Sequence, residues 1–317
     1  MRIVSLLPSA TEIVCALGLA DHLVGVSHDC DWPPEVAGKP VLSQAVVDPQ
    51  APSNVINAAV REALHRGTSV YHLDAARLAA LGPDLILTQE LCPVCAPSFH
   101  EVQRAARVLE GNPTIVSLEP KGLYDILQTV VEVGCRTGAE GAASRLVAEL
   151  EARIEAVRRL PPPQPRPRVV CLEWLDPLFV AGHWVPEMVE LAGGQDVLGR
   201  PGEPSYVVSW EAVRAARPEV LVVMPCGFDL ERARREVHLL TDRPGWDTLP
   251  AVRSGRVYLT NATAYFNRPG PRIVRGLEIL AELLRAPAGP FRTEGAETLA
   301  TGRPDRAGSP STRTALP

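Results

Sequence analysis

The 317-residue sequence predicts an α/β protein of two lobes, each with a parallel-sheet core, joined by one long helix. Three features predict it. Short apolar runs alternate with helical patterns over the first 120 residues, a long amphipathic stretch then ends in a run of prolines, and the second half repeats the plan of the first.

The first apolar run, Ile3 to Leu7, reads as a buried strand, and Ser9-Ala10-Thr11-Glu12 has the form of a capping box that opens a helix. Leu23 to Ser27, Asp84 to Thr88 and Thr114 to Ser117 are further strands with helical patterns between them, as parallel sheets with helical crossovers require. Residues 1–120 are read as the first lobe. Residues 121–167 link the halves: between Ala139 and Leu160, the residues Leu146, Val147, Leu150, Ile154 and Val157 recur at three- and four-residue spacing. A helix over this stretch runs roughly 33 Å, the length of a lobe. Pro161-Pro162-Pro163-Gln164-Pro165-Arg166-Pro167 stops it, since proline has no amide donor and keeps its predecessor out of the helical region. The second lobe is assigned to residues 168–285. Its segment Val213 to Met224, turning at Arg217-Pro218-Glu219, matches Leu78 to Gln89, which turns at Gly82-Pro83-Asp84. Residues 286–317 have few large apolar side chains and are expected to form a disordered tail.

The chain is 46% hydrophobic, enough for two cores, and its net charge of −5 supplies no basic field for nucleic acid or an anionic membrane surface. No stretch approaches the roughly 18 apolar residues of a membrane span. Seven cysteines, an odd number in a large α/β chain, fit reduced thiols better than a disulfide framework. Removing a leader would remove the first strand and helix, so the chain is expected in the cytoplasm, or outside it if the true start lies upstream.

Ligands of open α/β sheets bind beyond the carboxyl ends of the strands. The candidate site is therefore whatever follows each strand: His28-Asp29-Cys30-Asp31-Trp32, Gln89 to Cys95, Glu173-Trp174-Leu175-Asp176 and Pro225-Cys226-Gly227-Phe228. The aromatics fall in similar places, with Trp174, Phe179, His183 and Trp184 in one connection, Tyr206 before a helix, and Tyr265-Phe266 after the strand Val257 to Thr260. With Trp32, they are candidate walls for a large flat ligand. Cys92-x-x-Cys95 is the sharpest local signal, and with Cys30 and Cys226 it could form a four-thiolate zinc or iron–sulfur site. Cys15, Cys135 and Cys171 lie within predicted helices or strands and are expected in the core. His183 and Glu187 have helical metal-pair spacing, but Pro186 between them marks a helix start, which makes His183 a cap or cleft residue. The sequence has no nucleophile elbow, Walker loop or dinucleotide fingerprint, and Gly193-Gly194 reads as a helix C-cap. A non-catalytic binding protein is the leading expectation, and the rival is a metalloprotein or redox enzyme using the four cysteines.

The opening Arg2-Ile3-Val4-Ser5-Leu6-Leu7-Pro8-Ser9-Ala10-Thr11-Glu12-Ile13, the segment Leu78-x-x-Leu81-x-Pro83-Asp84-Leu85-Ile86, the single long helix and the ending Asn267-Arg268-Pro269-Gly270-Pro271-Arg272 together resemble the helical-backbone substrate-binding proteins that serve vitamin B12 and iron–siderophore importers. The resemblance covers roughly residues 2 to 285 and is nearest to the members that bind vitamin B12. It implies two Rossmann-like lobes around a ligand cleft. The ligand it implies is a corrinoid, cobalamin or a precursor, with haem or a siderophore as alternatives and no other cofactor required. It also implies a cleft aromatic at Phe179 and a ligand-facing arginine at Arg268, whose usual acidic partner falls on Ala264. Such proteins dock on an ABC permease through one acid per lobe; Glu211 matches in the second lobe, while the first-lobe position falls on Ala76, with Asp74 nearby as a helix cap. Half of that signature is absent, which counts against permease docking and leaves both ABC-type uptake and intracellular corrinoid handling as roles; a monomer that binds a small molecule is expected.

Overall fold

The computed structural model describes residues 1–66, 68–89, 102 and 112–299. The first lobe contains β1 (Ile3–Ser5), α1 (Pro8–Ala16), β2 (Leu23–Val26), β3 (Ser43–Ala45), α2 (Ser53–His65), β4 (Tyr71–Leu73), α3 (Ala75–Leu81), β5 (Leu85–Thr88) and β6 (Thr114–Ser117). Its sheet has the order β2-β1-β5-β6, every pairing parallel, with β3 and β4 forming a separate antiparallel pair. Side chains alternate across this sheet: Ile3, Leu85 and Leu87 join one core cluster, and Val4 and Ile86 join the other. That period-two division is why the strands read as continuous apolar runs, since helices or loops cover both faces.

Two helices follow, α4 (Leu123–Thr137) and α5 (Glu140–Arg158). The second is the long helix of the sequence. Its Ala143 belongs to the first-lobe core, Leu146 and Val147 touch the clusters of both lobes, and Leu150, Ile154 and Val157 belong to the second-lobe core. Each buried aliphatic contributes about 1.5–3 kcal/mol of apolar burial, so one helix is anchored in both halves. Arg153 adds a two-pronged ion pair to Glu278, with nitrogen–oxygen distances of 2.8 and 3.0 Å.

The second lobe contains β7 (Arg168–Leu175), β8 (Leu178–Val180), α6 (Val185–Leu191), β9 (Gln195–Asp196), β10 (Tyr206–Val207), α7 (Trp210–Ala216), β11 (Val220–Val223), α8 (Leu230–Glu236), α9 (His238–Thr241), α10 (Pro250–Arg253), β12 (Val257–Thr260), α11 (Ala262–Tyr265), α12 (Ile273–Arg285) and β13 (Ala296–Thr298). Its sheet runs β10-β8-β7-β11-β12-β13, with β9 also on β7. The central β7, β11 and β12 are parallel, and Val169, Cys171, Val220 and Val222 face one core while Val170, Leu172, Leu221 and Val223 face the other.

Three expectations need correction. The Ser9-x-x-Glu12 pattern is not a capping box: Leu7 is the N-cap, no side chain caps the helix, and Pro8, whose fixed φ suits a first helical turn, starts it. Glu12 is used elsewhere, as described below. The segment after Ala286 is not all tail, because β13 pairs antiparallel with β12 and buries Ala296, covering what would otherwise be an open strand edge; residues 300–317 lie outside the described residues. Cys135 is exposed on α4 rather than in the core, whereas Cys171 is buried and Cys15 partly so.

Candidate functional site

The carboxyl ends of β5, β7 and β11 meet at a small pocket between the lobes. Gln89, immediately after β5, reaches it from the first lobe; Glu173, His183, Ser205, Cys226 and Asn267 line it from the second, with Trp184 and Phe266 as the apolar wall. Its volume is about 70 Å³. Burial pushes the Glu173 carboxyl up to about 7, opposed by hydrogen bonds from the Gly182 amide and the Ser205 hydroxyl. Burial also lowers the His183 pKa, with the Lys121 charge adding to the effect. His183 sits at φ 50°, just before the Trp184 N-cap of α6, so its backbone turns in the left-handed region as the helix begins. Its Nε2 and the Asn267 Oδ1 are buried without a hydrogen-bond partner.

Gly182 makes the turn possible. A Cβ there would come within 2.5 Å of the Ser205 amide nitrogen and 2.6 Å of the Pro204 carbonyl carbon, backbone atoms that cannot swing away. Gly182→Ala is expected to cost about 1–3 kcal/mol in overpacking. Thermal denaturation reads this directly, and an unchanged midpoint would mean that the 203–205 loop yields freely.

Two polar clasps flank the pocket and tie the lobes together. In the first, the opening and closing sequence signatures meet. Arg272 donates two hydrogen bonds to Glu12, at 3.0 and 2.6 Å, and Arg268 stands 3.8 Å from the same carboxylate. Arg268 also pairs with Asp31 and donates to the Asp29 carbonyl at 3.0 Å. Burial raises the Glu12 pKa, and the hydrogen bond and charge of Arg272 and the charge of Arg268 oppose that rise. In the second clasp Arg232, itself buried, donates to the Pro49 carbonyl and, at 2.9 Å, to the Ala51 carbonyl. Glu236 accepts from the Ser53 amide and hydroxyl.

The aromatic candidates separate on this frame. Trp184 is 7% exposed, and its indole N–H donates to the Phe266 carbonyl at 2.8 Å; Phe266 itself is fully buried, so its side chain is core that reaches the pocket wall. Trp174 belongs to the second clasp instead, donating at 3.2 Å to the Ser53 carbonyl and meeting Phe228 edge-on at 5.5 Å; Phe179 is its cross-strand neighbour on β8. Tyr206 is drawn to its own loop, donating to the Leu198 carbonyl at 2.8 Å with Arg200 stacked on its ring. Tyr265 lies against the C-terminal segment and donates to Glu294. Trp32 is 44% exposed, with the Arg272 guanidinium 5.1 Å from its ring. None of these last five is in the pocket lining. Arg268, expected to face a ligand, spends its donors on the first lobe: the acid missing at Ala264 is replaced by Asp31 from across the cleft.

Of the thiolate candidates, Cys226 lines the pocket, whereas Cys30 is packed with Thr11 and Ser27, 3.0 and 3.2 Å from their hydroxyls. Cys92 and Cys95 lie outside the described residues. Among the described residues no group of three or more His, Cys, Asp and Glu side chains is placed to hold a metal. Glu211 is exposed in the first turn of α7, beside a shallow depression of about 660 Å³ that it lines with Arg214, Arg217 and Arg253. Asp74 caps α3, accepting from the Arg77 amide at 2.9 Å.

Cys226, His183, Trp184 and Phe266, singled out from the sequence, line the pocket, as do Gln89 and Glu173, which open two of the segments expected at the strand ends; Asn267 and Ser205 were not expected there. A signal existed for Asn267, which opens the Asn-Arg-Pro-Gly signature. Ser205 lies in an irregular loop and carried none.

Comparison with known proteins agrees with this architecture. A family profile described as periplasmic binding protein matches residues 3–264. A vitamin B12-binding protein of Vibrio cholerae is 25% identical over 287 residues, covering 90% of this chain and 89% of that protein. Among solved structures, the periplasmic vitamin B12 binding protein of Vibrio cholerae superposes with a TM-score of 0.65 at 24% identity, over 90% of this chain and 96% of that one. The periplasmic heme-binding protein of Roseiflexus sp. RS-1, in apo form, gives 0.65 at 27% identity, over 89% and 97%.

Proposed function

The chain belongs to the periplasmic binding protein family, and from that premise we propose that it is a non-catalytic binding protein for a corrinoid, cobalamin or a precursor, held between the lobes. The observation that carries the reading is the interlobe pocket at the strand ends, drawn from both lobes and backed by Trp184 and Phe266. Likeness to vitamin B12-binding relatives across nine-tenths of the chain supports the choice of ligand class. At about 70 Å³ the pocket holds one substituent of such a ligand; sites for whole drug-sized ligands run to roughly 300–1,000 Å³. Admitting the macrocycle therefore requires the clasps at Glu12 and Arg232 to part.

Haem is the second reading, favoured by one feature: the unpartnered His183 Nε2 could approach an iron. The compartment belongs to the same proposal: the free thiols of Cys15, Cys30, Cys135, Cys171 and Cys226 suit a reducing cytoplasm, and fractionation of cells carrying the full chain tests it.

Titration of the purified protein with cyanocobalamin, dicyanocobinamide and haemin, followed by absorption spectroscopy, tests the ligand class. Saturable one-to-one binding of a corrinoid is expected. A Soret band that saturates with haemin while both corrinoids fail to bind overturns the proposal in favour of haem.

A further inference from the structure

The interlobe pocket has a donor–acceptor character that reaches beyond the choice of macrocycle. At about 70 Å³ the cavity has room for a small group and not for a whole macrocycle. Among the described residues no lysine or arginine lines it. The nearest cations do not change this: Arg268, next to the lining residue Pro269, is held by Asp31, Asp29 and Glu12, and Lys121 is felt by His183 but is not in the lining. The Gln89 amide can donate or accept there, the Cys226 thiol is a weak donor, and beside them stand acceptors. Among the described residues the Glu173 carboxyl receives the Gly182 amide and the Ser205 hydroxyl, and the Asn267 Oδ1 is buried and unpaired. The His183 Nε2, also unpaired, can accept or donate according to its tautomer.

Building on the ligand-binding reading of the cleft, we infer that this pocket is a subsite for a neutral, hydrogen-bond-donating arm of the ligand, a primary carboxamide, and that it rejects a carboxylate arm. An amide NH₂ brings two donors to Glu173 and Asn267, and its carbonyl can meet the His183 ring in the protonated-Nε2 tautomer. A carboxylate brings acceptors only, into a site where none of the described lining residues is a cation and beside another carboxyl group. Like-charge repulsion grows as Glu173 ionises, and its pKa near 7 places that change between pH 6 and 8. Corrinoids carry primary amides around the ring, whereas haem carries two propionates. The pocket thus discriminates by side-arm chemistry among macrocycles of similar size.

Two comparisons test this. Dicyanocobinamide and dicyanocobyrinic acid share a corrin ring but carry mainly amides and only carboxylates, respectively. At pH 8 the amide form is expected to bind at least tenfold tighter, with the gap narrowing at pH 6 and in Glu173→Gln. A gap indifferent to both would overturn the inference. Independently, acetamide and acetate at millimolar concentration are titrated against the ¹⁵N-labelled protein at pH 8, with the His183 ring signal assigned through His183→Gln. Acetamide is expected to shift it saturably and acetate to leave it in place; equal shifts sink the subsite. If neither corrinoid binds, the functional reading fails alone, and the acetamide and acetate pair still decides the subsite.

Discussion

Glu12→Ala is expected to destabilise the protein by about 3–5 kcal/mol, the cost of breaking a buried ion pair from one side. The Glu12 side chain is 3% exposed and holds the Arg272 guanidinium by two hydrogen bonds, so its removal strands a positive charge where water is scarce. Arg268 keeps Asp31, and the loss is concentrated on Arg272. Urea denaturation measures the effect, and a double-mutant cycle with Arg272→Met separates the pair from its parts: the double variant should recover much of the loss, because two uncharged groups leave nothing unpaired. Since the same pair bridges the lobes, small-angle scattering of Glu12→Ala should show a larger radius of gyration. A loss below about 1 kcal/mol would mean that solvent screens the clasp, as it does exposed pairs.

Glu173→Gln is expected to make the protein more stable than wild type at pH 8 and to give little gain at pH 4. The Glu173 pKa rises from 4.5 to about 7 on folding, so the folded state retains a proton that the unfolded state loses in this window. Stability from this group is complete below about pH 4.5, declines as pH rises through 7, and stays reduced above it. The full difference corresponds to about 3 kcal/mol, or nearer 2 once the residual solvent contact of the carboxyl is allowed for. Asp196, whose carboxyl is pushed up to about 6 by burial, acts in the same direction but is common to both proteins and cancels. Denaturation midpoints at pH 4, 6 and 8 read the curve. Parallel profiles for the two proteins would show that Glu173 titrates normally.

How much of this was legible in advance depends on the range of the interactions involved. The strands Thr114–Ser117 and Val220–Val223, the long helix and the repeated helix–turn–strand unit follow from local periodicity, because burial of one face imposes a period of 2 or 3.6 on the chain itself. The Pro161–Pro167 stop and the turn at Gly82, in the left-handed region at φ 49°, are equally local. The Ser9-x-x-Glu12 pattern misled for the opposite reason: the residue types suited a cap, but a bidentate partner 260 positions away gave Glu12 another role. Three of the aromatics turned elsewhere for the same reason. Trp174, Tyr206 and Tyr265 lie near strand ends, but each indole or phenol donor was claimed by a carbonyl or carboxylate that only folding brought within reach.

The sequence by itself determined the α/β class, the two-lobe plan and the strand ends that meet at the interlobe pocket, since these rest on repeating patterns of burial within short windows. Only the tertiary structure decided that Arg268 faces Asp31, that Glu12 clasps Arg272 and that Glu173, His183 and Asn267 share one cavity with Gln89. Those juxtapositions join residues far apart in the chain, and their energies depend on distance and desolvation, which no local pattern of residue types encodes.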